Sequence, residues 1–189
     1  AFRFEVGQTT ANAELNSISQ DDVAYLSLRA AGPSRILLVS PLLKSGESSS
    51  LGLQNLPGRN LTALSPEGFA KLGNSQLEQY SLLIFHAVAP AQWQKIPTLL
   101  ILPPLGNSLF PVKEAAQGLH LTSWMSEHPV TSYLNIPLLQ LGAVSVLDVP
   151  PWALSVLNVE RGSVLAAGES AGIRFAATGF ELLPFEGAK

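Results

Sequence analysis

Apolar and polar positions alternate with period two in "FRFEV" (residues 2–6) and again in "VAYLSLR" (23–29). Such alternation marks strands with one buried face. The polar stretch between them, "GQTTANAELNSISQDD", is a long connection. Two strands joined this way suit an antiparallel β element better than a parallel crossover unit. "RAAGPS" (29–34) then reads as a linker.

From Arg35 the pattern changes. "RILLVS" (35–40) is a continuous apolar run, as expected for a parallel strand covered on both faces. A polar segment follows, with a short helix expected near 48–55. "LTALS" (61–65) predicts a second strand, "YSLLIFHAV" (80–88) a third and "TLLIL" (98–102) a fourth. Between the second and third, Ser65 is placed as an N-cap, Pro66 as the first helical residue and Glu67 in the first turn, with Gly73 as the stop. Phe69 and Leu72 would form the inner face of this helix. Strands alternating with short helical connections predict a parallel, doubly wound sheet.

The last third changes again. "AVSVLDV" (143–149), "ALSVLNV" (153–159), "SVLAAG" (163–168) and "GIRFAATGF" (172–180) are closely spaced strand patterns separated by "PPW", "ERG" and "ESAG". They predict an antiparallel meander joined to the edge of the parallel sheet or stacked on residues 1–29. The expected organisation is a β attachment over 1–32 and an α/β domain over 33–189.

Composition narrows the function classes. Of 189 residues, 47% are hydrophobic and only 13% charged, which predicts a globular chain with some surface covered by another domain or partner. A net charge of −3 and eleven scattered basic residues argue against nucleic acid as partner. The chain has no cysteine, which removes disulfides, thiolate metal sites and cysteine nucleophiles. No apolar run has the roughly 18–20 residues that cross a bilayer, and "AFRFEVGQTT" does not resemble a signal peptide. The abrupt ends suggest an excised piece of a longer protein.

Candidate chemistry is sparse. "TLLILPPLGNSLF" (98–110) runs from a strand into a tight turn, the position where α/β folds place ligands and nucleophiles. A nucleophile elbow needs small residues around the nucleophile. Here Pro103 and Pro104 stiffen the exit, Gly106 permits the turn, and the hydroxyl of Ser108 is flanked by Asn107 and Leu109. Ser108 therefore reads as a turn or cap residue, and Asn107 and Ser108 as possible ligand contacts. His86 ends the third strand on the same rim. His120 and His128 are eight apart, which fits no helical metal pair. A set of Ser108, His86 and Asp148 can be written down, but any chain of this size permits one. Asp21 and Asp22 read as turn residues, Glu160 and Arg161 as a hairpin tip, and Glu181 as a capping or ion-pairing residue. No Gly-rich phosphate loop occurs. "SWMSEHPVTSYLNIPLL" (123–139) reads as a packed surface loop, or as a lid or partner-binding edge, with Trp124 as its anchor and an extended backbone forced at His128 by Pro129.

"DDVAYLSL", "RILLVSP", "YSLLIFHAVAP", "TLLILPPLGNSLFPV", "LTSWMSEHPV" and "VLAAGESAGIRFAATGFEL" together resemble, from Asp21 to Leu182, a family of bacterial membrane-anchored von Willebrand factor A proteins of the aerotolerance (Bat) type, in their extracytoplasmic C-terminal region. There a β-sandwich segment leads into a class I glutamine amidotransferase-like domain. The "SEHPV" stretch is similar to trehalose-utilisation-type members of that superfamily. The resemblance implies a flavodoxin-like, mostly parallel sheet with short helices. It also implies a periplasmic position as part of a membrane-anchored protein, with membrane contact only through segments outside these residues. Active amidotransferases carry a cysteine at the elbow and a distal His–Glu pair. Pro104 and Leu105 stand at that place here and no cysteine exists, so no catalytic residue is carried over.

These readings lead to a non-catalytic binding or scaffolding module with a protein or sibling-domain partner, no cofactor and no metal. Trp124, Tyr133 and Trp152 are the expected partner contacts. The alternative is a small-ligand site, for a sugar or peptide fragment, or a hydrolase site at the strand ends, lined by His86, Asn107, Ser108 and His128. A ligand site requires those four groups to converge. A scaffold requires them to be used internally while an apolar patch stays exposed.

Overall fold

In the computed structural model, β1 (Phe2–Glu5) pairs antiparallel with β2 (Val23–Leu26), Phe2 opposite Leu26 and Glu5 opposite Val23. Both strands belong to a unit spanning Ala1–Gly32, and a second unit spans Pro33–Lys189. The structure describes residues 2–5, 23–26, 34–43, 59–132, 135–136, 139 and 141–182. The helix expected near 48–55, Asp21, Asp22 and Tyr133 lie outside the described residues.

The second unit is a mixed α/β fold: one ten-stranded sheet with two short helices among the described residues. Its strands are β3 (Ser34–Val39), β4 (Arg59–Leu64), β5 (Leu82–His86), β6 (Thr98–Ile101), β7 (Val112–Gln117), β8 (Leu121–Trp124), β9 (Ala143–Leu147), β10 (Ala153–Val159), β11 (Gly162–Ser170) and β12 (Ile173–Thr178). The main path runs β4-β3-β5-β6-β12-β11-β10-β8, with β9 bridging β11 and β7. Four pairings are parallel: β3 with β4, β3 with β5, β5 with β6, and β6 with β12. Five are antiparallel: β10 with β11, β10 with β8, β11 with β12, β11 with β9, and β7 with β9. The sheet is therefore mixed, not mostly parallel as the first half of the sequence suggests. β12 joins the halves by pairing antiparallel with β11 and parallel with β6.

The parallel half follows from its continuous apolar runs. Leu37, Val39, Leu83, Phe85 and Leu100 face one apolar cluster. Ile36, Leu38, Ile84 and Ile101, the alternating positions, face another. Both faces of the sheet are thus dry, which is what unbroken apolar strands require. α1 (Pro66–Ala70) begins as expected: Ser65 Oγ accepts the Gly68 N–H at 3.2 Å. The Glu67 backbone amide, followed by the Ser65 hydroxyl, holds the Glu67 carboxyl below its ordinary range. The helix ends well before Gly73, which instead precedes a second helical turn, α2 (Asn74–Leu77).

The antiparallel half contains two strands that the apolar pattern does not announce. β7, "VKEAAQ", has the expected alternation of half-buried and exposed positions. Its Ala, Lys, Glu and Gln are poor strand formers, so the signal is masked. β8 is only "LTSW", and its second half, Ser123 and Trp124, lies inside the segment 123–139 expected to be loop. Its pairing with β10 places Trp124 opposite Leu157, Ser123 opposite Asn158 and Leu121 opposite Val159. Thr122 is the extra residue of a bulge, so Leu121 and Trp124 share the face of Leu157 and Val159. A bulge in β10 at Val156 likewise turns both Val156 and Leu157 inward, and both are buried in the third apolar cluster. Gly179 follows β12 where a Cβ would collide with the Ser145 carbonyl, so only glycine fits that crossing.

Candidate functional site

The parallel strands β3, β5, β6 and β12 end on one rim, and the order reverses between β3 and β5. Ligand sites of open α/β sheets form at such a reversal. Ser40 follows β3 there and His86 ends β5. Each continues the file of alternating residues that faces Ile36, Leu38 and Ile84. Ser40 Oγ lies 2.9 Å from His86 Nδ1, and His86 Nε2 lies 2.8 Å from Glu181 Oε2. The Leu42 N–H donates to Ser40 Oγ at 3.2 Å. One proton arrangement satisfies this chain: Leu42 N–H to Oγ, Oγ–H to Nδ1, and Nε2–H to the Glu181 carboxylate.

Hydroxyl, imidazole and carboxylate in that order have the connectivity of a nucleophilic triad. Burial argues against that use here. Ser40 is 0% exposed and His86 2%, whereas Glu181 is 30% exposed. A nucleophile must reach its substrate, and Ser40 has no surface to offer one. What the chain of bonds does is tie the ends of β3 and β5 to the segment beyond β12. It crosses the end of β6, where Leu102 N–H donates to the Thr178 carbonyl at 2.8 Å.

The other expected site residues are not brought to this rim cluster. Asn107 is buried and closes its own turn: Oδ1 accepts the Leu109 N–H and Nδ2 donates to the Phe110 carbonyl, each at 2.9 Å. Gly106 takes the positive φ of +81° that the turn needs. Ser108 Oγ accepts the Trp93 indole N–H at 3.0 Å. His128 follows β8, five strand spacings from β5 along the sheet, a path of about 24 Å. Its Nδ1 accepts the Val130 N–H at 3.3 Å. Asp148 pairs with Lys113 at 3.3 Å on the surface, so the written-down set of Ser108, His86 and Asp148 does not assemble. His120 is exposed, and its backbone N–H donates to the Glu160 carboxylate. That carboxyl lies below its ordinary range because its own backbone amide, then that of His120, stabilises the charged form. Among the described residues no group of three or more His, Asp or Glu side chains is placed to hold a metal.

Ser40 was hidden in the sequence as the last letter of an apolar run. Glu181 was visible as a capping or ion-pairing residue, but its partner His86, 95 positions away, was not. The usable signal was positional: both lie just beyond strand ends.

The expected partner contacts also separate. Trp124 is 40% exposed on β8, with Met125, Val130 and Leu139 also exposed. Trp152 instead packs inward, with ring centroids 5.1 Å from Phe110 and 5.8 Å from Phe175. A cavity of about 590 Å³ opens beside β8, lined by Leu119, Leu121, Trp124, Leu139 and Leu141 among others.

No family model matches the chain, and no curated protein is significantly similar to it. Among the solved structures that share the fold are two Salmonella proteins. The cytoplasmic protein STM3548 from Salmonella typhimurium has a TM-score of 0.57 at 12% identity, over 82% of this chain and 91% of that one. The cytoplasmic protein STM1381 from Salmonella typhimurium LT2 has a TM-score of 0.59 at 10% identity, over the same shares. These findings correct the resemblance drawn above. The structural neighbours are described as cytoplasmic proteins. Neither they nor any family model supports a von Willebrand factor A protein of the aerotolerance type, an amidotransferase-like domain, or a periplasmic, membrane-anchored position. Among the described residues no helix is long and apolar enough to cross a membrane.

Proposed function

We propose that this chain is a non-catalytic binding module that accepts an extended segment of a protein partner along the outer edge of β8. The supporting observation is a contrast between two places. Ser40 and His86 at the strand-end rim, and Asn107 and Ser108 in the turn beyond β6, hydrogen-bond within the protein. At β8, by contrast, Trp124 and its apolar neighbours stay exposed. Edge strands are usually blunted by charge. β7 carries Lys113 and Glu114 and β4 begins with Arg59, but residues 121–126, "LTSWMS", carry none. An edge of this kind suits strand addition, in which the main chain supplies affinity and side-chain pockets supply specificity. The adjacent cavity would take one apolar side chain of the partner.

On the same reading the parallel half is flavodoxin-like. Its order β4-β3-β5-β6-β12 corresponds to 2-1-3-4-5 when the parallel strands are numbered along the chain.

The test is selection of peptides from a random library on the immobilised protein, followed by affinity measurement and amide exchange. Selected peptides should protect the β8 amides and be apolar at alternate positions. Trp124→Asp should weaken them by about 2 kcal/mol, roughly thirtyfold, while the variant still unfolds cooperatively. Protection elsewhere, with Trp124→Asp neutral, would refute the β8 assignment. Hydrolysis of an ester or amide by the purified chain, lost in Ser40→Ala, would replace the module with an enzyme.

A further inference from the structure

A second cavity, of about 350 Å³, lies on the opposite face of the sheet from the Ser40–His86–Glu181 chain. Val39 at the end of β3 and Phe85 near the end of β5 form its floor, so it too flanks the point where strand order reverses. Phe69 and Leu72 wall it from α1 and the residues after it, and Val88 from the segment leaving β5. That segment departs through Ala87 at φ +53°, a left-handed conformation uncommon for a residue with a side chain. Asn74, Gln92 and Gln94 are the polar residues of the lining, and no charged residue contributes.

We propose that this cavity binds a small neutral molecule with one apolar ring or short acyl chain and a carbonyl or amide head. Its volume sits at the small end of ligand pockets, roughly 300–1,000 Å³, which suits a single ring with one substituent. Phe69 meets the buried Phe85 edge to face, ring centroids 5.2 Å apart, and is itself only half-buried, so its ring keeps surface against which a ligand can pack. Three amides offer both donors and acceptors, which complements a carboxamide. A carboxylate or ammonium would lose its hydration against Phe69, Phe85 and Val88 without meeting an opposite charge, and that is costly. The site is separate from β8 and shares no lining residue with the cavity there.

The experiment uses an isosteric series, benzamide, benzoate and benzylamine, titrated into the isotopically labelled full chain and followed by amide chemical shifts. Benzamide should perturb residues 66–77 and 85–94, and the two ions should bind at least about tenfold more weakly. Ala70 lines the cavity but is exposed, so Ala70→Phe should fill the space and abolish binding. If that variant does not fold, Gln92→Ala serves instead. It alters an exposed position and should reduce the preference for benzamide over benzoate. Trp124→Asp should leave benzamide binding unchanged, which keeps this result independent of the strand-addition reading. The inference is overturned if benzamide leaves those residues unperturbed up to its solubility limit, if benzoate binds as tightly, or if a folded Ala70→Phe still binds.

Discussion

Ser40 Oγ takes the Leu42 N–H and gives its own proton to His86 Nδ1 in the arrangement that satisfies both. Ser40→Ala removes that hydroxyl from a fully buried position. Leaving buried polar partners without it costs about 1–3 kcal/mol, so the unfolding midpoint should fall by several degrees. Glu181→Gln keeps an acceptor oxygen and acts at a partly exposed group, so its loss should be clearly smaller. Equal stability of Ser40→Ala and the parent in thermal unfolding would show that the rim is held by other contacts. At this scale the sequence was partly legible. Ser108 reads as a turn residue, and its Oγ accepts the Trp93 indole N–H; Asn107 reads as a ligand contact, yet it closes its own turn through Leu109 and Phe110. Ser40 did not stand out, because a serine ending an apolar strand looks the same whether or not a histidine faces it.

Elements of the parallel half were readable because covering both faces demands unbroken apolar runs. β10 was readable as a strand over 153–159, but its register was not. Its bulge at Val156 breaks strict alternation, and no local signal marks a bulge whose cause is the neighbouring strand. β8 is held partly through its approach: the His120 N–H binds the Glu160 carboxylate at the β10–β11 turn. The folded Glu160 pKa is lowered, so the bond stabilises the fold above the ordinary value of 4.5. That contribution is lost as pH falls through the lowered value. Glu160→Gln should therefore be less stable than the parent at neutral pH, and the difference should shrink below pH 4.5. Denaturant midpoints of the two proteins across that range provide the check. A gap that widens on acidification would contradict the assignment.

Among the described residues, three apolar clusters draw their members from between Ile36 and Phe180. The second unit thus has its own core, which is the condition for folding alone. A chain of residues 33–189 should unfold in one cooperative transition, with calorimetric and van't Hoff enthalpies in agreement. Loss of cooperativity in that shorter chain would show that residues 1–32 complete the core.

By itself the sequence determined the parallel half, the capped start of α1, and the closely spaced strands of the last third. Each rests on local periodicity or on a cap whose partners lie a few residues apart. The tertiary structure alone decided that β12 would pair parallel with β6, that β7 and β8 would be strands, and that Ser40, His86 and Glu181 would meet. Those outcomes depend on contacts between residues tens of positions apart, and such contacts leave no period in the chain. They arise only when strand twist, bulges and the burial of both sheet faces are satisfied together.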